Sequence, residues 1–101
     1  MKVVISAAAR ADIRQIGLWI ARSNPVRSLT FVAELRSACL GLATLTERFQ
    51  LVPRYEKRGI RRRVHGNYLI LYEVDPVHVR VVRVIHGATD YRHLLGDSSH
   101  S

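Results

Sequence analysis

The sequence predicts an α+β fold: an N-terminal strand, then an antiparallel helical hairpin packed on an antiparallel sheet that ends in a three-strand meander. Three observations predict it. Two apolar stripes at helical spacing lie on either side of Ser23-Asn24-Pro25. Three runs rich in β-branched and aromatic residues follow over 60–65, 68–75 and 78–86, separated only by short turns. The segment between these halves, 46–59, lacks periodicity and holds Pro53 and Gly59, which marks a loop.

Lys2 to Ser6 reads as a short strand, and Ser6 is placed to cap a helix that opens with Ala7-Ala8-Ala9. Ala9, Ile13, Ile16 and Ile20 form the buried stripe of that helix, which runs to about Arg22. Asn24 and Pro25 supply the N-cap and first position of a second helix. Its stripe is Phe31, Leu35, Ala38, Leu42 and Leu45, with Val32 and Cys39 alongside. Gly66-Asn67 is a two-residue hairpin turn whose residues accept positive φ, and Asp75-Pro76 marks the second turn. On the middle strand Tyr68, Ile70, Tyr72 and Val74 share one face and Leu69, Leu71 and Glu73 the other, as for a central strand covered on both sides. Asp90 to Leu95 reads as a short terminal helix. Residues 1–95 are expected to form a single domain and 96–101 (GDSSHS) a frayed tail.

One hundred and one residues with 48% hydrophobic side chains suffice for one core without staples. Cys39 is the only cysteine, so no internal disulfide forms, in keeping with a reducing compartment. Lys2 is followed by only Val3, Val4 and Ile5 before Ser6, too short for a secretory leader. No run approaches 18 apolar residues either, so a cytoplasmic location off the membrane is expected. The net charge is +8, and every basic residue except Lys2 and Lys57 is arginine. Arginine's planar fork suits carboxylate and phosphate, so nucleic acid or an acidic protein is the expected partner class.

Six basic residues cluster at Arg54, Lys57, Arg58, Arg61, Arg62 and Arg63. On a strand, Arg61 and Arg63 point one way and Arg62 the other, so the patch is two-faced at that point, with one arginine available for internal structure. His86 and Tyr91 flank Gly87-Ala88-Thr89-Asp90 after the last strand. With a nearby arginine they are candidates for proton transfer in RNA cleavage, and a buried, hydrogen-bonded His86 beside a packed Tyr91 is the plainer reading. The five histidines have no pair at i, i+4 and there is no second cysteine, so no metal site is expected, and no phosphate-binding glycine loop implies a cofactor. Cys39 lies beside the second helix's stripe and reads as a small core hydrophobe. Trp19 suits core or partner packing.

The order of elements, with Ala11-Asp12-Ile13, Ile20-Ala21, Asn24-Pro25, Gly59-Ile60-Arg61, Gly66 to Tyr72 and Arg83-Val84-Ile85-His86-Gly87-Ala88, resembles the RelE/ParE superfamily of bacterial toxins. The ParE-like, plasmid-stabilisation branch is the nearer, and the resemblance runs from Val4 to Leu95. It implies the toxin of a type II toxin–antitoxin pair, bound by a small ParD-like antitoxin in a heterodimer or heterotetramer. Members of the ParE branch generally poison DNA gyrase by binding, without catalysis. The RelE branch instead cleaves mRNA on the ribosome, a role that would fall here to Arg61, His86 and Tyr91. Thr89 stands where the superfamily pattern His-x-x-Arg-Asp has arginine, which weighs against cleavage and leaves open an inactive homologue acting as a binding module. The expected target-binding surface is Arg61, Arg62, Arg63, His86, Tyr91 and Arg92. The expected antitoxin contacts are Trp19, Ile20 and Phe31.

Overall fold

The computed structural model describes residues 1–44, 48–89 and Leu95. A short strand, β1 (Lys2–Ile5), leads into helices α1 (Ala7–Ala21) and α2 (Pro25–Leu40), and then β2 (Arg61–His65), β3 (Tyr68–Val74) and β4 (His78–His86). Local chemistry sets both helix starts. The Ser6 hydroxyl accepts the Ala9 amide at 3.0 Å, and Asn24 Oδ1 accepts the Arg27 amide at 3.0 Å with Pro25 in the first turn. The second helix stops at Leu40 and one turn of 3₁₀ helix follows over Gly41–Ala43. Leu42 therefore reaches the core from that turn. Leu45, the last member of the expected stripe, lies outside the described residues, as does the expected Asp90–Leu95 helix apart from Leu95 itself.

The two helices approach closely where Gly17 faces α2. The Ser28 hydroxyl donates to the Gly17 carbonyl at 2.6 Å, and a Cβ on Gly17 would stand 2.9 Å from Val32 Cγ2. A larger residue there would push the hairpin apart.

The sheet order is β1-β4-β3-β2. The meander is antiparallel as expected, with Arg61 opposite Tyr72 and Tyr68 opposite His86. β1 joins β4 in parallel, Lys2 to His78 through Ile5 to Val81, so the whole sheet is mixed rather than antiparallel throughout. A bulge interrupts the β3–β4 ladder: Leu71 faces Arg83 but Tyr72 faces Val81, which leaves Val82 as the extra residue. Its effect is a change of phase. Val79, Val81 and Val84 all pack on the helix side, although 81 and 84 would point apart on a regular strand.

Two cores result. The larger joins Ala9, Ile13, Ile16, Phe31, Leu35 and Cys39 of the helices to Ile70, Tyr72, Val79, Val81 and Val84 of the sheet. Burial pushes the Cys39 thiol up to about 11, so at neutral pH it is protonated and behaves as a small hydrophobe. The second core lies on the opposite face of the sheet, where Leu69, Leu71 and Ile85 are covered by Val52, Tyr55, Ile60 and Leu95. The aperiodic segment before β2 thus has a packing role. It folds back through Gly59, at φ 71°, with the Val52 amide on the Ile60 carbonyl at 2.8 Å.

Candidate functional site

The arginines of β2 are held by the protein's own carbonyls. Arg61 and Arg63 share the helix-side face with Tyr72 and Ile70, their partners on β3. Arg61 Nη1 donates to the Phe49 carbonyl at 2.7 Å, and Arg63 Nη1 donates to the Ala38 carbonyl at 2.8 Å. The Arg63 guanidinium also lies 5.1 Å from the Phe49 ring. Arg62 points to the other face and reaches Gln50 Oε1 at 3.2 Å, and Arg58 donates to the Leu95 carbonyl. Arg58, Arg61, Arg62 and Arg63 of the predicted basic cluster are therefore engaged in tying β2 and its loop to the rest of the chain. Ala38 sits in the last turn of α2, where carbonyls lack helical partners and a cation is favoured. Arg63→Ala is expected to lower stability by about 1–2 kcal/mol in urea titrations, with Arg63→Lys recovering part of it. An unchanged midpoint would show that Arg63 is free for a partner.

His86, expected to be buried, instead ends β4 exposed at the surface, because it is the last residue of the strand beside the Gly87 turn. Its Nδ1 accepts the Ala88 amide at 3.1 Å, which leaves Nε2 as the donor of the neutral ring. The ring stands edge-on to Tyr68, centroids 5.5 Å apart. Tyr68 in turn lies 5.6 Å from Phe31, and Phe31 lies 5.5 Å from His65. Rings from β2, β3, β4 and α2 thus form one continuous row at the Gly66-Asn67 end of the sheet. Beside it is an open groove of about 380 Å³ lined by Asp12, Trp19, Tyr68, Arg83, His86 and Thr89. Trp19 is 64% exposed there, with the Arg22 guanidinium 5.0 Å from its ring. Trp19 and His86, read from the sequence as belonging to two different surfaces, border one groove.

Of the other expected contacts, Phe31 is buried beneath the hairpin turn and Ile20 is half-buried against the helix-side core. Of the three, only Trp19 is exposed. Tyr91 and Arg92 lie outside the described residues. Arg61 and His86 are not brought together. They face Tyr72 and Tyr68, four residues apart on β3, from opposite sides of that strand. Their main chains are thus separated by about 13 Å along the strands and about 10 Å across them.

Two features were missed in the sequence. Asp12, on α1, accepts Arg83 Nε at 2.7 Å and Nη2 at 2.8 Å, and also the Val84 amide at 2.9 Å. The pairing raises the Arg83 guanidinium above its ordinary range. With the Ser6 hydroxyl donating to the Val82 carbonyl at 2.9 Å, it fastens the β4 bulge to the start of α1. The second is a groove of about 670 Å³ on the outer side of the hairpin, with Ile5, Ile13 and Val32 as its floor and Arg10, Arg14 and Arg36 at its rim. The i, i+4 spacing of Arg10 and Arg14 was readable, but Arg36 joins them only once the hairpin forms. Elsewhere on α2, Glu34 is gripped by Arg27 at 2.6 and 3.2 Å, which holds its carboxyl below the usual range. Among the described residues no group of three His, Cys, Asp or Glu is arranged to hold a metal, and no helix is long and apolar enough to cross a membrane.

No curated protein sequence matches the chain significantly. Among solved structures it is similar to a chain of the chromosomal ParDE toxin–antitoxin system from P. aeruginosa, at 16% identity and a TM-score of 0.73. That match covers 85% of this chain and 95% of the other. It is also similar to a chain of the toxin–antitoxin complex RelBE2 from Mycobacterium tuberculosis, at 24% identity and a TM-score of 0.63, covering 84% and 95%. Both likenesses are of fold. The sequence profile of the ParE toxin of the type II toxin–antitoxin system parDE matches residues 3–91, nearly the whole chain, and on that match the protein belongs to the ParE toxin family.

Proposed function

We propose that this toxin acts by binding rather than by cutting a phosphodiester, that its target is DNA gyrase, and that a small acidic ParD-like antitoxin neutralises it. The observation that carries the non-catalytic reading is the separation of Arg61 from His86, with the Arg61 guanidinium donated to Phe49. Cleavage of RNA needs a base near the 2′-hydroxyl, an acid at the leaving oxygen and a cation between them, all within hydrogen-bond reach of one phosphate. Residues at opposite ends of a meander do not meet that requirement, and Thr89 adds no cation. The sheet face away from the helices offers Leu69, Leu71 and Ile85 under an apolar cover, which is no better for a phosphate.

Gyrase as the target follows from membership of the ParE family, and the antitoxin from the same source. The surplus of positive charge supports an acidic partner by steering encounter and favouring a charge-paired complex. The surface offered to gyrase is the one around His86 and Trp19, where an exposed indole, a row of rings and the Arg22 guanidinium meet.

Inducible expression of the chain without antitoxin is expected to arrest growth with filamentation and DNA breaks while mRNA stays intact. The purified protein is expected to inhibit gyrase supercoiling. Full supercoiling at stoichiometric excess of toxin would remove gyrase as the target. Codon-positioned mRNA cuts would replace binding with catalysis. Unimpeded growth with soluble protein present would leave an inactive homologue.

A further inference from the structure

We infer that the groove between α1 and the end of β4 takes an unpaired DNA base, stacked on Trp19, with its phosphate on Arg22. The inference rests on the reading of gyrase as the target and sharpens it, because the contact at this surface is then with the DNA that gyrase holds. One face of α1 presents the groups a nucleotide needs. Gln15, Trp19 and Arg22 recur at i, i+4 and i+7, so an amide, an indole and a guanidinium follow one another at steps of about 6 and 4.5 Å along the axis. Gln15 and Trp19 line the groove, and the Arg22 guanidinium lies 5.0 Å from the indole ring. All three residues are exposed. Arg22 forms no ion pair with any described residue, so its charge is available to a phosphate.

The opposite wall completes a slot for a flat ring. Tyr68 and His86 stand there edge-on, centroids 5.5 Å apart, with Thr89 beside them. The His86 Nε2 hydrogen, the Thr89 hydroxyl and the Gln15 amide offer polar contacts to the edge of a base, whose faces are left for stacking. At about 380 Å³ the groove is near the lower end of the range for small-ligand pockets, which suits a single base better than a helix of a partner protein. The Asp12 carboxylate in its lining is paired with Arg83 and accepts three hydrogen bonds, so little of its charge is left to oppose a phosphate. The net charge of +8 attracts a polyanion from further away. DNA also lacks the 2′-hydroxyl at which RNA cleavage begins, so such a site needs no catalytic group.

Two other grooves fit a base less well. The one on the outer side of the hairpin has Arg10, Arg14 and Arg36 at its rim, but its floor is aliphatic and offers no ring for stacking. The one between α2 and β2 includes Arg63, whose guanidinium is held by the Ala38 carbonyl, and Glu34 lines its wall.

Trp19 is the only tryptophan, so its fluorescence reads the groove directly. Titrating the full chain with single-stranded oligothymidylate of about twelve nucleotides is expected to quench it. An abasic strand with the same number of phosphates should bind at least about tenfold more weakly and leave the fluorescence unchanged. Trp19→Ala, followed by the anisotropy of a labelled strand, should lose at least about tenfold in affinity, and Trp19→Phe should recover part of it. Arg22→Ala should reduce the slope of log K against log salt by about 0.7, the share of one phosphate on a single strand. Arg80→Ala, at an exposed position near the start of β4, should leave that slope as it is. Equal affinity for the abasic and thymidine strands would overturn the inference, as would an undiminished affinity in Trp19→Ala. So would tighter binding of oligouridylate of the same length, or quenching of Trp19 by gyrase free of DNA. Inhibition of supercoiling reads the target separately. A toxin that inhibits gyrase while the abasic strand binds as well as the thymidine strand fails the groove alone, and one that stacks a base without inhibiting gyrase fails the target alone.

Discussion

Asp12→Ala is expected to lower the unfolding free energy by about 2–4 kcal/mol, with a fall in midpoint temperature of roughly 15 °C for a domain of this size. The Asp12 carboxylate accepts three hydrogen bonds, two from Arg83 and one from the Val84 amide, and its side chain is only 14% exposed. Removing it strands a half-buried guanidinium and a backbone donor together, and loss of one partner costs more than loss of both. That asymmetry supplies the controls. Asp12→Asn keeps an acceptor for Val84 but loses the charge, so it should cost about half as much. Asp12→Leu combined with Arg83→Met removes both charges and should recover most of the Ala loss, with the Val84 amide as the residue of the penalty. A change below about 1 kcal/mol for Asp12→Ala would show that the bulge is held by its sheet hydrogen bonds alone. The effect should also be felt at the functional surface, since the same bulge sets the direction of Val84 to His86. Shifts in the His86 and Trp19 resonances of Asp12→Asn, at temperatures where it is fully folded, would report this.

How much of this was legible in the sequence depends on how local the determining chemistry is. Both helix starts were, because Ser6 and Asn24-Pro25 act within three residues of themselves. The strands were legible to within about one residue, because alternation and the Gly66-Asn67 turn are local signals too. The parallel pairing of β1 with β4 joins residues 76 apart, and nothing in either strand names the other. The bulge is a property of a register between two strands, so the phase change from Val81 to Val84 has no counterpart in the pattern of one. Among the site residues, alternation separated Arg61 and Arg63 from Arg62 correctly, but the acceptors that hold them, Phe49 and Ala38, are set by tertiary packing. Phe31 was both a member of a buried stripe and a contact candidate, and its place in the stripe is what the fold uses. The arginines of the outer groove are the converse case, because each looks like an ordinary solvated charge until two helices bring them to one rim.

Tyr55→Ala is expected to cost about 3–5 kcal/mol, the loss typical of truncating a buried aromatic side chain. Tyr55 is 2% exposed and packs in the second core, yet it belongs to a segment whose sequence shows no periodicity. Its main chain is the hub of that segment: its amide donates to the Val52 carbonyl at 3.0 Å, and its carbonyl accepts from Arg58 at 3.1 Å and Ile60 at 3.4 Å. Losing the ring therefore loosens the cover before it loosens the sheet. Amide exchange should rise first at Val52, Arg58 and Ile60 and last at Leu35 and Ile70 in the helix-side core. Tyr55→Phe keeps the packing and should stay within about 1.5 kcal/mol of the parent. Uniform acceleration across both cores would mean that the two faces unfold as one unit and that the cover has no separate stability. The variant also bears on mechanism. What it uncovers is Leu69, Leu71 and Ile85, so the freed face should bind a hydrophobic dye and gain no RNA cleavage. Cleavage appearing on that face would mean that the segment had been screening a phosphate site, and the binding mechanism would give way to a masked nuclease.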